Sequence, residues 1–328
     1  MLLRVYSLVV LALDLVTLLV GIWFAIVVAL YRTFRPPPLK NISGEVAMVS
    51  WSSVHFLPMI HSQCNLTFLQ VVGAGRGVGR EIAVQLSQLG VFVACVDIMA
   101  ENCFATAKRA SCYSGMAKPF VCDVTDKEQV SHSLASKTLQ SRVGHYYHFL
   151  FRKHNDNFML PGVMGIYNPT PSLVQDAPEV RKTMEVSVFS HFWLLDSVMP
   201  GMQRAGRGHI VALSSVAGLS GGASSGGRVP ISTAQFAVQG FAESLHTEFR
   251  HSNSNIIITL VHVYPIPSYF GTMPATDAAK KILDGVRRNY AEFSVPGYLL
   301  YLGHVLRILP KKASFMLRDL LDTGVDFG

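Results

Sequence analysis

The order of hydrophobic and polar residues divides the chain into one long apolar run and a larger region in which strand and helix patterns alternate. Residues 7–30 are almost continuously hydrophobic, which is long enough for a helix that spans a bilayer. A cleaved signal peptide fits less well, because the run is too long and no small-residue cleavage site follows it. Asp14 would cost about 2.5–3.5 kcal/mol at the membrane centre, so we expect it near an interface or paired with a partner helix.

The alternating patterns beyond this run predict the fold class. Short apolar runs predict strands at 91–96, 120–123, 209–213 and 256–263, and helical periodicity predicts helices at 78–89, 178–202 and 233–250. The residues predicted to face inward in the two long helices are Met184, Val188, Phe192, Leu195, Met199, Phe236, Gly240, Phe241 and Leu245. Thr125 and Glu128 form a capping-box pattern that opens another helix. This order implies an α/β protein with a Rossmann-type doubly wound parallel sheet, preceded by an N-terminal transmembrane helix.

The most informative short motif is a glycine-rich loop between a strand pattern and a helix pattern. It has the form G-x-x-x-G-x-G, and the residues predicted to contact a dinucleotide there are Gly73, Gly75, Arg76, Gly77, Val78 and Gly79. Glycine permits a tight turn and a close approach of the backbone to a pyrophosphate, which the helix N-terminus attracts. Asp97 ends the next strand, about 20 residues further on, where an acid that binds ribose hydroxyls is expected. The alternative is a flexible glycine turn without a ligand.

Composition and charge narrow the range of partners. The chain has 328 residues, is 50% hydrophobic and has a mean hydropathy of +0.33, which suits one large α/β domain with an added apolar segment. The net charge of +7 is not clustered with aromatic residues as in a nucleic-acid-binding stripe, and it suits an anionic membrane face. Arg32, Arg35 and Lys40 follow the apolar run, so the positive-inside rule places the main domain in the cytosol, beyond a stiff proline spacer.

Cysteine and histidine usage gives no sign of a metal site. The five cysteines show no paired metal-ligand spacing, and Cys95 and Cys122 lie in strand patterns, which favours buried thiols in a reducing compartment. His209, His246 and His262 lie in or beside strand and helix patterns, and we interpret them as core or surface histidines rather than catalytic bases. Residues 297–310 are apolar but too short to span a membrane, and they form either a helix lying on a membrane or a core-packing helix.

Several segments together resemble the short-chain dehydrogenase/reductase family over about residues 44–296. They are GAGRGVG at 73–79, VACVD ending at Asp97, CDVTD at 122–126, GHIVALSSVAG at 208–218 and FAVQGFAESL at 236–245. With its apolar N-terminal run, HFWLLDSVMPGM and its apolar C-terminal region, the chain is similar to the membrane-anchored retinol and 17β-hydroxysteroid dehydrogenase branch. The resemblance implies hydride transfer between NAD(P) and a lipophilic alcohol or ketone, a location at the endoplasmic reticulum or lipid-droplet membrane, and a homodimer.

The same resemblance implies a domain organisation and further cofactor contacts. The expected parts are a membrane anchor with its spacer at 1–40, a dehydrogenase domain at 44–296 and an apolar, basic extension at 297–328. Asp123, Val124, Gly162 and Pro265 are the additional positions expected to contact the cofactor. NAD is favoured over NADP, because Asp97 would repel the 2′-phosphate, although Arg76 would attract it.

The chain departs from the family pattern at three of the four catalytic positions. Ser215 matches the catalytic serine, but Ile231 and Gln235 stand at the tyrosine and lysine positions. Ser187 stands at the asparagine position, and residues 159–162 align with the N-N-A-G segment. The family reaction uses a tyrosine as acid and base, with a lysine that lowers its pKa. Isoleucine has no ionisable proton and glutamine has no positive charge, so we predict the loss of nearly all acid–base catalysis.

Three segments, at 50–70, 144–161 and 219–231, do not follow the regular pattern of the rest of the chain, and they leave several interpretations open. The first strand is either 45–49 or 68–72, the latter leaving 46–49 outside the sheet, because some 20 residues intervene where a tight junction is expected. These irregular segments have three alternative explanations: a gene-model or splicing fault, a family member that has lost activity, or an enzyme with substitute catalytic groups. The two functional hypotheses are therefore an oxidoreductase and a catalytically inactive nucleotide-binding or scaffold protein.

Overall fold

A computed structural model gives the fold of the protein. It describes residues 2–40, 45–50, 67–72, 74–113, 117–134, 156–160, 177–219, 229–263 and 273–321. The chain forms two compact units, Met1–Lys40 and Asn41–Gly328. The first is a helix with a short non-helical tail, and the second contains the sheet.

The first unit is dominated by one long helix, α1, from Leu2 to Phe34. The segment contains no proline before residue 36, so nothing removes a backbone donor along its length. Large apolar side chains such as Trp23 are exposed on it. In the part of the chain that the structure describes, no helix combines the length and apolar composition needed to cross a membrane. The transmembrane helix predicted at 7–30 is therefore not shown.

The second unit alternates strands with helices. Its strands are β1 (Glu45–Ser50), β2 (Thr67–Val72), β3 (Phe92–Asp97), β4 (Ala117–Val121), β5 (Asp156–Leu160), β6 (Gly208–Ser215), β7 (Ile256–Val263) and β8 (Glu292–Val295). Its helices are α2 (Gly77–Gln88), α3 (Ala100–Ala110), α4 (Lys127–Leu134), α5 (Ala177–Met184), α6 (Ser190–Ala205), α7 (Val229–His251), α8 (Ala275–Arg287), α9 (Tyr298–Ile308) and α10 (Lys311–Leu321). A wide π-type turn, Glu185–Phe189, joins α5 to α6.

The described strands form one sheet in the order β4-β3-β1-β2-β5-β6-β7-β8, and every pairing is parallel. This confirms the predicted α/β class with a parallel sheet. The start of the sheet differs from the prediction, which offered β1 or β2 as the first strand. Both are in the sheet, and β1 lies between β3 and β2, which pair directly only at Val72 and Val96. Both segments are short and rich in β-branched or aromatic residues, so each fits a parallel sheet.

Helices cover both faces of the sheet. Along β3, Val93 and Cys95 belong to one buried apolar cluster, whereas Ala94 and Val96 belong to the other. This division arises because successive strand side chains point to opposite faces. Helices α2, α3 and α8 supply the first cluster, and α4, α6 and α7 supply the second. Such two-sided cover is what double winding predicts.

The buried face of α6 is displaced from the one predicted by simple periodicity. Leu194, Val198 and Met202 are buried, whereas Phe192 is 47% exposed. The wide turn before α6 places more residues in one turn than an α-helix does, so the predicted stripe loses its phase there. In α7, Phe241 and Leu245 are buried as expected, but Gly240 is exposed and Phe236 only half-buried.

The cap of α4 is also different from the predicted capping box. Asp126, rather than Thr125, accepts hydrogen bonds at the helix start, from the backbone N–H groups of Glu128 (2.9 Å) and Gln129 (3.1 Å). These bonds lower the pKa of Asp126. Thr125 instead turns its hydroxyl to Asp123 at 2.7 Å. Aspartate is an equally good cap, and the chain uses the one directly before the helix.

Candidate functional site

The predicted site residues are brought to one edge of the sheet. β3 ends at Asp97 and β6 ends at Ser215. Because the strands are parallel, their carboxyl ends lie on the same edge, where ligands of such sheets bind. The loop between β2 and α2 starts from this edge as well.

The glycine loop leads directly into α2. Gly77, the first residue of the helix, has φ +55, a left-handed conformation that favours glycine. A Cβ added to Gly77 would have no atom within 4 Å, so the space beside the helix start is open. The unpaired N–H groups of this first turn give it the character of an anion site. Gly75 lies in the described loop, Val78 and Gly79 lie in α2, and Gly73 lies outside the described residues.

Two side chains that the sequence analysis did not single out hold this loop. The hydroxyl of Thr106 in α3 lies 3.2 Å from the carbonyl oxygen of Ala74. Arg80 in α2 donates through Nε to the Thr106 hydroxyl at 3.1 Å, and its guanidinium also donates to the carbonyl of Gly75. The basic residue directly after the glycine run was the available signal for Arg80, whereas Thr106 belongs to a separate helix. Both fix the backbone that a pyrophosphate would contact.

Asp97 presents a buried carboxylate with one oxygen unused by the described residues. Its Oδ1 accepts a hydrogen bond from the backbone N–H of Met99 at 2.6 Å. Its Oδ2 is buried and has no hydrogen-bond partner in the described part of the chain. Burial raises the pKa of Asp97 to about 9, although the N–H groups of Met99 and Ile98 and the charge of exposed Arg76 oppose this rise. An orphaned buried oxygen calls for a donor, and a ribose hydroxyl supplies one.

Asp123 and Val124 follow the end of β4 after one intervening residue, Cys122, which bonds to Asp97. The backbone N–H of Cys122 donates to the carbonyl of Asp97 at 3.2 Å, which ties the two strand ends together. Asp123 Oδ1 accepts hydrogen bonds from the Thr125 N–H (2.9 Å) and hydroxyl (2.7 Å). Val124 is half-buried against the second apolar cluster. Asp123 thus shapes the turn that forms this side of the site.

At the other end of the site, Gln235 is bound to the end of β6. Its Oε1 accepts hydrogen bonds from the backbone N–H of Ser215 at 2.9 Å and from the hydroxyl of Ser214 at 3.1 Å. Gly218 fits tightly here, because an added Cβ would lie 2.8 Å from the carbonyl oxygen of Gln235. The residue at the family lysine position therefore holds the strand end that carries Ser215.

The two other substituted catalytic positions offer no acid–base group. Ile231 lies in α7, one turn before Gln235, and is half-buried. Ser187 lies in the wide turn before α6, where its hydroxyl is buried and no described residue bonds to it. His191, one turn further on, is buried against Phe241, and burial lowers its pKa to about 4, partly offset by the Ser187 carbonyl. It is therefore neutral at physiological pH.

His262 in β7 lies beneath the serine segment. Its Nε2 is 2.8 Å from Glu292 Oε1 and its Nδ1 is 3.4 Å from the carbonyl oxygen of Ser215. The hydrogen bond from His262 lowers the pKa of Glu292 against the opposing effect of burial. His209 is likewise buried, 2.8 Å from the Thr259 hydroxyl, and His246 is exposed. These positions agree with the core and surface roles expected of the three histidines.

Some predicted positions lie outside the described residues, namely Gly73, Gly162 and Pro265. β5 ends at Leu160, within the segment 159–162 that aligns with the family asparagine motif. In the described part of the chain, Cys95, Cys103, Cys112 and Cys122 form no disulfide bond. Over the ranges that are described, no group of three or more histidine, cysteine or acidic residues could hold a metal ion.

Comparisons with known proteins place this arrangement among the short-chain dehydrogenases. The family model described as short chain dehydrogenase matches residues 68–277. Human 17-beta-hydroxysteroid dehydrogenase 13 is 23% identical, with 94% of this chain and 93% of the relative covered. Human epidermal retinol dehydrogenase 2 is 26% identical, with 91% and 89% covered. Mouse estradiol 17-beta-dehydrogenase 11 is 24% identical, with 96% of each chain covered.

Solved structures share the fold. A metagenomic short-chain oxidoreductase in complex with NADP aligns with a TM-score of 0.56 at 18% identity, covering 78% of this chain and 98% of that one. A short chain dehydrogenase from Salmonella enterica aligns with the same TM-score and identity, covering 79% and 98%. At these identities the likeness concerns the fold alone.

Proposed function

Because the chain belongs to the short-chain dehydrogenase family, we propose that it binds a nicotinamide dinucleotide at the carboxyl edge of its sheet, as an oxidoreductase-type protein for lipophilic alcohols or ketones. The observation that carries the proposal is the buried Oδ2 of Asp97, which no described residue bonds, beside a glycine-initiated helix. The relatives named for hydroxysteroid, estradiol and retinol dehydrogenation support the lipophilic substrate class.

The chain's own groups divide the work of binding. The first turn of α2, held open by Gly77, would receive the pyrophosphate, because backbone N–H groups there lack intrahelical partners. Asp97 would accept hydrogen bonds from the adenosine ribose, and Asp123 with Val124 would border the base. We propose NAD as the preferred form, because hydrogen bonds donated by the ribose hydroxyls favour the ionised form of Asp97, and this form disfavours a 2′-phosphate. When bound, the nicotinamide supplies hydride transfer.

The groups at the end of the site where a substrate would bind can position its oxygen atom, but they supply little proton transfer. The hydroxyl of Ser215 can donate to a carbonyl oxygen or accept from an alcohol. Ile231 exchanges no proton, and Gln235 brings no cation to lower the pKa of a neighbouring group. Positioned acid–base catalysis contributes about 10²–10⁴-fold to rate, so we expect turnover to be slower than in a tyrosine–lysine enzyme by at least that factor.

The Ile231–Gln235 pair favours a second candidate, a nucleotide-binding or scaffold protein without turnover. Gln235 satisfies two groups of the Ser214–Ser215 segment, which suits a structural role. In this candidate the dinucleotide stabilises the fold by binding, by an amount that grows with the logarithm of its concentration over its Kd.

We also propose that α1 attaches the protein to the endoplasmic reticulum or lipid-droplet membrane, with the sheet domain in the cytosol and a homodimer as the assembled form. The exposed apolar side chains of α1, Trp23 among them, and the cations at its C-terminal end support attachment.

Two measurements test the proposed function. NADH binding to the purified full chain, followed by fluorescence, is expected to be saturable and to be weakened by Asp97→Asn. Turnover is then measured with retinol or a steroid alcohol and NAD, and with the matching carbonyl and NADH. Binding with very slow turnover supports the first candidate, binding without turnover supports the second, and absence of binding contradicts both. Sequencing the transcript across residues 45–235 establishes whether it encodes the irregular segments as they stand in this chain.

A further inference from the structure

Helix α9 has apolar side chains on two opposite faces. Leu299 and Leu306 are buried, and a Cβ added at Gly303 would lie only 2.8 Å from the Cβ of Leu219. The Ser294 hydroxyl accepts from the backbone N–H of Leu300 at 2.8 Å, which fixes the helix start. This inner face attaches α9 firmly to the sheet domain, as the core-packing alternative expected.

The side of α9 that faces away from the domain carries the residues that a membrane-lying helix would use. They are Tyr298, Tyr301, Val305 and Ile308, whose spacing places them on one side of a helix. Tyr301 is 63% exposed and Ile308 is 84% exposed. Helix α10 adds Phe315 and Met316, which are 55% and 67% exposed. We refer to these six side chains as the outer face.

The charge around the outer face is positive. Lys311 and Lys312 are exposed between the two apolar groups, and no acidic residue occurs in α9. Asp319 is the single acid in the sequence of α10. Arg307 points toward the domain, with its guanidinium 4.9 Å from the centre of the Phe236 ring. Among the side chains that the structure describes, the cations at the outer face are therefore the two lysines.

We propose that the outer face docks on an anionic lipid membrane, with α9 and α10 lying along its surface. Each helix has 11 residues, about 16 Å, which is too short to cross a bilayer. Exposed aromatic and aliphatic side chains beside lysines fit the boundary between headgroups and acyl chains. The lysines select anionic lipid, because each basic residue near such a surface adds attraction that salt screens.

Docking in this way would place the site next to its source of lipophilic ligand. Leu219, the contact of Gly303, follows the Ser215 segment, and Phe236, the contact of Arg307, follows Gln235. The inner face of α9 thus borders the substrate end of the site while its outer face contacts lipid. This consequence rests on the proposed function, whereas the docking itself does not.

Photocrosslinking of the full chain in vesicles tests the docking. Tyr301→p-benzoylphenylalanine and, as the matched control, Tyr113→p-benzoylphenylalanine place the same photoreactive ring at two exposed tyrosines, of which Tyr113 lies after α3. Each variant is reconstituted into phosphatidylcholine vesicles with or without phosphatidylserine, containing a lipid with an alkyne-tagged acyl chain. Attachment through α1 is the same in both variants, so a difference in lipid adduct reports on the outer face.

We expect a lipid adduct at position 301 and little at 113. Adding Lys311→Glu and Lys312→Glu should lower the adduct at 301 by about fivefold or more on phosphatidylserine vesicles and leave it little changed on neutral ones. Equal lipid adducts at the two positions, or a protein–protein adduct at 301, would overturn the docking and, in the second case, indicate a second copy of the chain. NADH binding of each variant, measured in parallel, keeps a failure of the proposed function distinct from a failure of docking.

Discussion

The side-chain oxygen of Gln235 accepts a hydrogen bond from the backbone N–H of Ser215 at 2.9 Å. It also accepts from the Ser214 hydroxyl at 3.1 Å. One amide thus joins the middle of α7 to the end of β6, at the place where the family pattern has a lysine. The position has changed from one that would bring a charge to the site into one that holds the site's serine segment by neutral hydrogen bonds.

Replacing Gln235 by alanine should destabilise the fold. Gln235→Ala leaves the N–H of Ser215 and the hydroxyl of Ser214 without this acceptor, and a buried donor left unsatisfied costs about 1–3 kcal/mol. We expect a loss of that size in the free energy of unfolding, measured by urea titration. Gln203→Ala, at an exposed glutamine of α6, is the control and should change stability by less than about 0.5 kcal/mol. Equal effects of the two variants would refute the structural role of Gln235.

Restoring the family residues should restore turnover only as a pair. Ile231→Tyr combined with Gln235→Lys supplies a phenol and a cation one helical turn apart, and we expect a gain of roughly 10²–10⁴-fold in the rate of retinol or steroid oxidation. Neither single variant should approach this, because groups that act as a unit are not additive. Ile231→Phe with Gln235→Lys adds the ring without the hydroxyl and should stay at the level of the unchanged chain. Turnover by this phenylalanine variant would show that another group moves the proton.

The sequence alone predicted the parts of the site that neighbouring residues define, and it missed most contacts between residues that are distant in the chain. The glycine loop and Asp97 were identified because local backbone chemistry and a fixed spacing define them. Arg80 was missed although its bond to Gly75 is local, and Thr106 was missed because its contact with the loop arises from packing α3 against α2. The bonds of Gln235 were missed for the same reason, since 20 residues separate it from Ser215.

The fold shows the same division between local and non-local signals. The alternation of strand and helix patterns predicted the parallel sheet, but the local pattern could not decide between β1 and β2, because pairing with β3 and β5 is a non-local choice. The phase of α6 could not be predicted either. The wide turn at Glu185–Phe189 interrupts the α-helical periodicity, and the spacing of apolar residues in the segment does not predict it.

Removing the carboxyl group of Asp97 should alter the choice of dinucleotide. Hydrogen bonds donated by a bound ribose favour the ionised carboxylate, Asp97→Asn replaces this acceptor by a weaker amide, and a hydrogen bond to a charged group contributes about 1.5–3 kcal/mol. We expect NADH to bind about tenfold or more weakly and NADPH to be affected less, because repulsion of the 2′-phosphate is removed while Arg76 stays. Asp196→Asn, at an exposed surface pair with Lys127, should leave both affinities unchanged. Parallel losses for the two nucleotides would contradict the assignment of Asp97 to the ribose.

Asp97 should also make stability depend on pH in the absence of nucleotide. Burial raises its pKa from 3.8 to about 9, so between these values the folded state binds a proton that the unfolded state releases. Its stabilising contribution is therefore complete below about pH 4 and is lost as pH rises toward 9, with a slope of at most ~1.4 kcal/mol per pH unit. Urea unfolding at pH 5 and pH 8 should show a larger loss for the unchanged chain than for Asp97→Asn. Asp196→Asn should retain the loss, and identical pH slopes for the unchanged chain and Asp97→Asn would rule out this contribution.

Two glycine-to-alanine changes separate backbone strain from packing. Gly77 has φ +55 with open space around its missing Cβ, so Gly77→Ala meets no clash but forces alanine into a left-handed conformation. That conformation costs about 1–2 kcal/mol for a non-glycine residue, and relief of the strain would shift the first turn of α2. We therefore expect lower stability together with weaker NADH binding.

Gly240 provides the matched control. It lies in α7, is exposed, and likewise has nothing within 4 Å of an added Cβ, but its φ is not positive. Gly240→Ala should stabilise by about 0.5–1 kcal/mol, because alanine favours a helix interior, and should leave binding unchanged. We expect the free energy of unfolding to fall in Gly77→Ala and to rise in Gly240→Ala, with weaker NADH binding in Gly77→Ala alone. An unchanged NADH affinity in Gly77→Ala would show that the loop is not part of the nucleotide site.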